Sequence, residues 1–173
     1  MSPLTHQGGA LLIVIILFGL TGGAAAGPIE DAWAAYQRGD YATALQLWQP
    51  RALLGVAFAQ NNLGMLYEHG QGVPQDYGEA AKWYRLAAEQ GNPTAQSNLA
   101  SMYYVGEGVP QDYVRAYMWI SLAASRFPLS AKEDRKQAAH HRYIVASNMT
   151  PAQIADSEKR AGEWQPKPST PVR

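Results

Sequence analysis

The chain has no cysteine, so neither a disulfide framework nor a thiolate metal site can hold it together. It also lacks net charge: 14 Lys and Arg balance 14 Asp and Glu, and charged residues are only 16% of the 173. That balance argues against a nucleic-acid binder, because such proteins gain affinity by neutralising phosphates with Lys and Arg. Catalytic signatures are missing as well. There is no Gly-x-Ser-x-Gly elbow, no P-loop and no dinucleotide fingerprint, and Gly70-x-Gly72 falls in a loop between helices, where its glycines serve geometry. The adjacent pair His140-His141 points in directions about 100° apart on a helix, whereas paired zinc ligands want i, i+4 spacing. No cofactor, metal or catalytic residue is expected, and the chain is not read as an enzyme.

The balanced charge conceals a division along the chain. Residues 27–112 carry four basic and nine acidic side chains, whereas residues 113–173 carry ten basic and five acidic ones. Ordinary surface charge explains this simply; a dipolar molecule that orients its partner is the sharper reading.

The first 26 residues carry no Asp, Glu, Lys or Arg, and Ala10–Leu20 is one apolar run. Eleven helical residues span about 16 Å at ~1.5 Å each, roughly half of a ~30 Å hydrocarbon core. Ala24-Ala25-Ala26 then supplies small side chains at −3 and −1 for cleavage before Gly27. This is the layout of a secretory signal peptide over residues 1–26, although its n-region offers only the amino terminus and His6 as positive charge. Export to the periplasm or the medium is expected. The alternative is anchoring in the inner membrane through residues 8–26, and a membrane is expected as partner only through this segment.

The body of the chain repeats itself. Gly70-Gln-Gly-Val-Pro-Gln-Asp-Tyr77 returns as Gly106-Glu-Gly-Val-Pro-Gln-Asp-Tyr113, an offset of 36 residues that the flanks preserve. Ala59-Gln60, Asn62-Leu63 and Tyr67 return as Ala95-Gln96, Asn98-Leu99 and Tyr103; Trp83 and Ala87-Ala88 return as Trp119 and Ala123-Ala124. Self-similarity at such a period signals a solenoid, in which each unit buries its apolar face against its neighbours. Each unit reads as helix, loop, helix. Gly70 and Gly106 stand where a left-handed stop is needed, Asp76 and Asp112 act as N-caps, and Gly91-Asn92-Pro93 supplies a stop, a cap and an N1 proline. Glu79, three residues after Asp76, predicts a capping box there.

Boundaries follow. A partial unit spans 29–56, with helices over Ile29–Arg38 and Tyr41–Leu53. Full units span 57–92 and 93–128. Capping helices within 130–163 (Ala131–Ser147 and Pro151–Gly162) are marked by the pairs Ser130/Glu133 and Thr150/Gln153. The repeat domain thus covers 27–164. Residues 165–173 are Pro-rich, lack aromatics, and are expected to be disordered.

The motifs Ala-Gln-x-Asn-Leu-Gly-x-x-Tyr (Ala59–Tyr67), Gly-x-Gly-Val-Pro-x-Asp-Tyr and Ala-x-x-Trp-Tyr-x-x-Ala-Ala-x-Gln-Gly (Ala80–Gly91) together resemble a Sel1-like repeat, a relative of the tetratricopeptide repeats. The resemblance covers 57–126 well, 27–56 partially, and later residues weakly. Ala100 departs from Gly64, and Ile120 from Tyr84. The resemblance implies an all-α fold: a right-handed α-solenoid of helix-turn-helix repeats, about eight helices, behind a signal helix and closed by capping helices. It implies an adaptor that binds a protein or peptide partner on its concave face, in the periplasm for exported members.

In such repeats the first helices line that face. With Ala59, Leu63, Gly64 and Tyr67 assigned to packing, Asn61, Met65 and Glu68 are left on one unit, and Ser97, Ser101 and Tyr104 on the next. Asn62 and Asn98 either hydrogen-bond a ligand backbone or tie the repeat internally. The alternative function is a cell-wall enzyme acting on peptidoglycan, or its dedicated activator. Glu68 beside His69 can be imagined as an acid/base couple, but neighbours on a helix do not face each other.

Overall fold

In the computed structural model, which describes residues 28–172, every regular element is an α-helix. The expected signal segment lies outside the described residues. The described helices are α1 (Pro28–Gln37), α2 (Tyr41–Leu53), α3 (Ala57–His69), α4 (Tyr77–Glu89), α5 (Pro93–Val105), α6 (Tyr113–Arg126), α7 (Lys132–Ala146) and α8 (Pro151–Glu163). Each pairs with its chain neighbour from α1 through α7, so three helix pairs lie side by side.

The stops and starts have local causes. Gly70 and Gly106 end α3 and α5 at φ 65° and 87°, a left-handed conformation that penalises any β-carbon. Asp76 and Asp112 accept from the N–H of Glu79 and Arg115, both at 2.9 Å, and Asn92 accepts from Ala95 at 2.9 Å. The box expected at Asp76 is one-sided, because the Glu79 carboxylate turns to Lys82 instead. Thr150 and Gln153 do form the reciprocal box. Ser130 does not cap α7. The Ala131 N–H closes a turn on the Pro128 carbonyl, and Ala131 takes the cap position with no side-chain bond.

Successive units are joined by one repeated device. The fully buried Gln60 donates to the Ala52 carbonyl at the end of α2, and Gln96, 36 residues on, donates to the Ala88 carbonyl at the end of α4, both at 3.1 Å. A second device uses the loops. Gly72 and Gly108, at φ 74° and 67°, lie against the carbonyls of Tyr41 and Tyr77, the first residues of the preceding second helices. A β-carbon at Gly108 would fall 2.0 Å from the Tyr77 oxygen. This is why the loop keeps glycine at its third position: the next backbone already occupies the space.

Alanines Ala80, Ala87, Ala88, Ala116 and Ala123 are fully buried between helices, where small side chains let the axes approach. The ring of Tyr84 lies over Gly64, where a β-carbon would meet it at 2.8 Å. In the next unit the pair becomes Ala100 and Ile120, both buried, so the two departures from the repeat pattern are one exchange of volume between facing positions.

The closing pair breaks the pattern. Both α7 and α8 pack on α6, and α8 is tied there by the Ser157 hydroxyl, which donates to the Val114 carbonyl at 3.0 Å. The tail also differs from expectation. Its composition suggested disorder, yet residues 165–172 are laid across the ends of α4 and α2 through backbone hydrogen bonds, which leave no mark in composition.

Candidate interaction surface

The first helix of every pair contributes to one face. Between α1, α3 and the start of α5 lies a groove of about 340 Å³ lined by Trp33, Phe58, Asn61, Asn62, Met65 and Thr94. Between α5 and α7 lies a polar cleft of about 170 Å³ that includes Ser97, Asn98, Ser101, Gln137 and His141. Beside it, Ser101, Tyr104, Ile120, His141 and Ile144 line an apolar hollow of about 200 Å³. Seven of the eight residues expected to bind a partner therefore line these three depressions.

Asn61, Asn62 and Asn98 form a chain of donors that crosses from one repeat to the next. Asn98 Nδ2 donates to Asn61 Oδ1 at 3.1 Å, and Asn61 Nδ2 donates to Asn62 Oδ1 at 3.3 Å. The chain ends at Asn62 Nδ2, which is buried and has no acceptor. A buried donor without a partner is costly, and Asn62, 3% exposed, is one of the residues beside the Trp33–Phe58–Met65 groove. Asn98 thus takes the internal role, whereas Asn62 keeps a free valence.

Asn61 was expected to be available at the surface and is instead 5% exposed, because it bridges the two repeats. Met65 and Tyr104 are half-buried, with Tyr104 against Tyr113 at 5.7 Å between ring centroids. Ser101 is exposed, and Ser97 is half-buried.

Glu68 is the correction. It is not free for a partner, because its carboxylate accepts the hydroxyl of Tyr84 from the neighbouring helix. Burial first, then the Glu68 carboxylate, push the Tyr84 hydroxyl far above its ordinary range. Glu68 therefore has a structural role, and the imagined couple with the exposed His69 does not form.

Phe58 and Thr94 were missed. They are repeat-equivalent and differ in type, so they carry no repeat signature; an exposed phenylalanine on a first helix was the available signal. His140 and His141 are both exposed, and no cluster among the described residues could hold a metal ion. No described helix is long and apolar enough to cross a membrane.

Paired helices at a fixed 36-residue period, locked by the same buried glutamine and the same loop glycine, define a helical-repeat scaffold. The Sel1 repeat family matches residues 57–92 and 93–126, the two full units. These two units are Sel1 repeats, and over them the chain is similar to the Sel1-like repeat proteins. Among solved structures, a protective antigen of uropathogenic Escherichia coli displaying an SLR fold is similar, with 28% identity and a TM-score of 0.72. That alignment covers 79% of this chain and 29% of the antigen. A Sel1 repeat protein from Oxalobacter formigenes is 29% identical with a TM-score of 0.57, covering 78% of this chain and 54% of that one. The chain therefore spans under a third of the first relative and about half of the second. No curated protein matches it. Folds of this family are commonly protein–protein interaction scaffolds.

Proposed function

We propose that the protein is an exported adaptor, periplasmic or secreted, that binds a protein or peptide segment along the concave face made by its first helices. The observation that carries this reading is the unpartnered Asn62 Nδ2 in the lining of the Trp33–Phe58–Met65 groove. Asn62 Nδ2 is itself buried, so a peptide carbonyl would supply the missing acceptor only as the side chain turns toward the groove. An apolar side chain of the ligand would cover Trp33 and Phe58, each 40% exposed. Aromatic and methionine side chains around a few fixed polar atoms suit adaptable recognition. Export rests on the uncharged, apolar segment 1–26 and its small-residue end.

Two full repeats offer a short surface, so affinity for a single peptide is modest and a second contact adds to it. The test is the triple replacement Met65→Ala, Ser97→Ala and Tyr104→Ala. Partners that co-purify with the wild-type chain should be lost while the helical circular dichroism persists. If every partner remains, the face is misassigned. A cell-wall enzyme is not favoured, since Glu68 is engaged by Tyr84.

A further inference from the structure

The tail lies where the repeat pattern exposes a row of identical acceptors. Leu53 and Glu89 are the last residues of α2 and α4 and stand 36 positions apart, so their carbonyls are equivalent points of successive units. Each accepts a backbone N–H from the tail at 2.8 Å, Leu53 from Val172 and Glu89 from Lys167. The Ser169 hydroxyl donates to the Gly55 carbonyl at 2.8 Å, and Lys167 Nζ pairs with the Glu89 carboxylate at 3.0 Å. Gly55 and Gly91, again equivalents, form the floor: Ser169 and Thr170 cover the first, and Trp164 and Pro166 cover the second. Trp164 fixes the start of the tail, with the Arg126 guanidinium 4.3 Å above its ring and Trp119 at its edge.

The tail sequence matches this row. Pro166, Pro168 and Pro171 have no N–H, and each immediately precedes a residue that donates: Lys167, Ser169 and Val172. Proline holds the segment extended before it docks, which lowers the entropy lost on binding. The carbonyl ends of two helices also present partial negative charge to the basic Lys167. Yet residues 165–171 stay exposed, and their ties are main-chain bonds, one hydroxyl and one exposed ion pair. Such ties are weak individually and read extended backbone more than sequence.

We infer that the ridge of inter-unit turns, Leu53–Gly55 and Glu89–Gly91, is a second binding site for an extended, proline-punctuated peptide with a basic residue. Residues 165–172 fill it in cis as a displaceable occupant. This ridge is made by second-helix ends and turns, distinct from the first-helix face, so the two sites stand or fall separately. The tail makes the ridge available only to a ligand that outcompetes an intramolecular segment, whose effective concentration is high.

The test uses the full chain and a fluorescent peptide of the sequence of residues 165–173. The double variant Lys167→Glu/Ser169→Gly removes the hydroxyl bond and sets a like charge against Glu89. The peptide should bind this variant at least tenfold more tightly than it binds the wild type. Adding Glu89→Lys should reverse the gain, because it repels Lys167 of the peptide and pairs again with the substituted tail; Asn62→Leu should change nothing. Equal binding to wild type and variant, or no binding to either, overturns the inference, as does indifference to the charge at position 89. Hydrogen exchange on the wild type gives a second reading. The Lys167 and Val172 amides should exchange at least tenfold faster than those of Ala87 and Ala88, and equal protection would show a permanent strap instead.

Discussion

Asn98 Nδ2 donates to Asn61 Oδ1 at 3.1 Å across the boundary between two repeats. The bond joins a signature position of one unit to a non-signature position of the preceding one, and through Asn61 it orients Asn62. Two substitutions at adjacent residues should therefore differ. Asn61→Leu strands the Asn98 donor and the Asn62 acceptor and should cost about 1–3 kcal/mol. Asn62→Leu removes a buried donor that has no acceptor, at the loss of one 3.3 Å bond, and should change stability by less than about 1 kcal/mol. It should nonetheless weaken partner binding. Urea unfolding together with a binding assay on the same two variants checks both halves.

The glycines separate conformational strain from steric exclusion. Gly39 and Gly108 both have positive φ, 78° and 67°, but a β-carbon at Gly39 would meet nothing within 4 Å, whereas one at Gly108 would strike the Tyr77 carbonyl. Gly39→Ala should cost about 1–2 kcal/mol from the left-handed backbone alone. Gly108→Ala should cost more, because the loop must move off the preceding helix. Similar losses in the two thermal melts would show that the loop contact contributes nothing.

The exchange of Gly64 and Tyr84 for Ala100 and Ile120 predicts coupling. Gly64→Ala alone drives a β-carbon into the Tyr84 ring, and Tyr84→Ile alone leaves a void and an unpaired Glu68 carboxylate. Together the first strain disappears, so the double variant should be more stable than the sum of the single losses, by roughly 0.5–3 kcal/mol for residues in contact. Additivity in a double-mutant cycle would contradict this packing.

Alkaline pH should expose the Tyr84–Glu68 bond. Burial first, and then the carboxylate, hold the Tyr84 hydroxyl protonated in the folded chain, while in the unfolded chain it ionises near pH 10 as an ordinary tyrosine does. A pKa raised by folding gives stability that is complete below about pH 10 and is lost as pH rises beyond it. Tyr84→Phe should make the decline of unfolding free energy between pH 9 and 11.5 shallower. Tyr36 and Tyr117, also raised chiefly by burial, preserve part of the slope.

The parts of this fold that could be read in the sequence are those with local causes. Gly70, Gly106, Asn92-Pro93 and Thr150/Gln153 act within one turn of themselves, and all perform as their types predict. Ser130 failed because a turn closed by the Pro128 carbonyl placed the next residue at the cap. Glu68 failed because its partner, Tyr84, lies on another helix and has no counterpart in the following unit. Asn61 is left over once Ala59, Leu63, Gly64 and Tyr67 are assigned to packing. Its bridge to Asn98 on the next unit has no equivalent at Ser97 that would mark it in the repeat pattern. The tail escaped notice for a different reason: its anchors are main-chain N–H groups, and composition records only that three residues lack them.

The central claim is that partners meet the first-helix face at the free amide of Asn62. A photoreactive residue at Met65, in the groove, compared with one at Lys82, exposed on α4, tests it most directly in intact cells. Adducts should form from position 65, vanish when Asn62→Leu is added, and not form from position 82. Adducts from position 82 with none from position 65 would contradict the account.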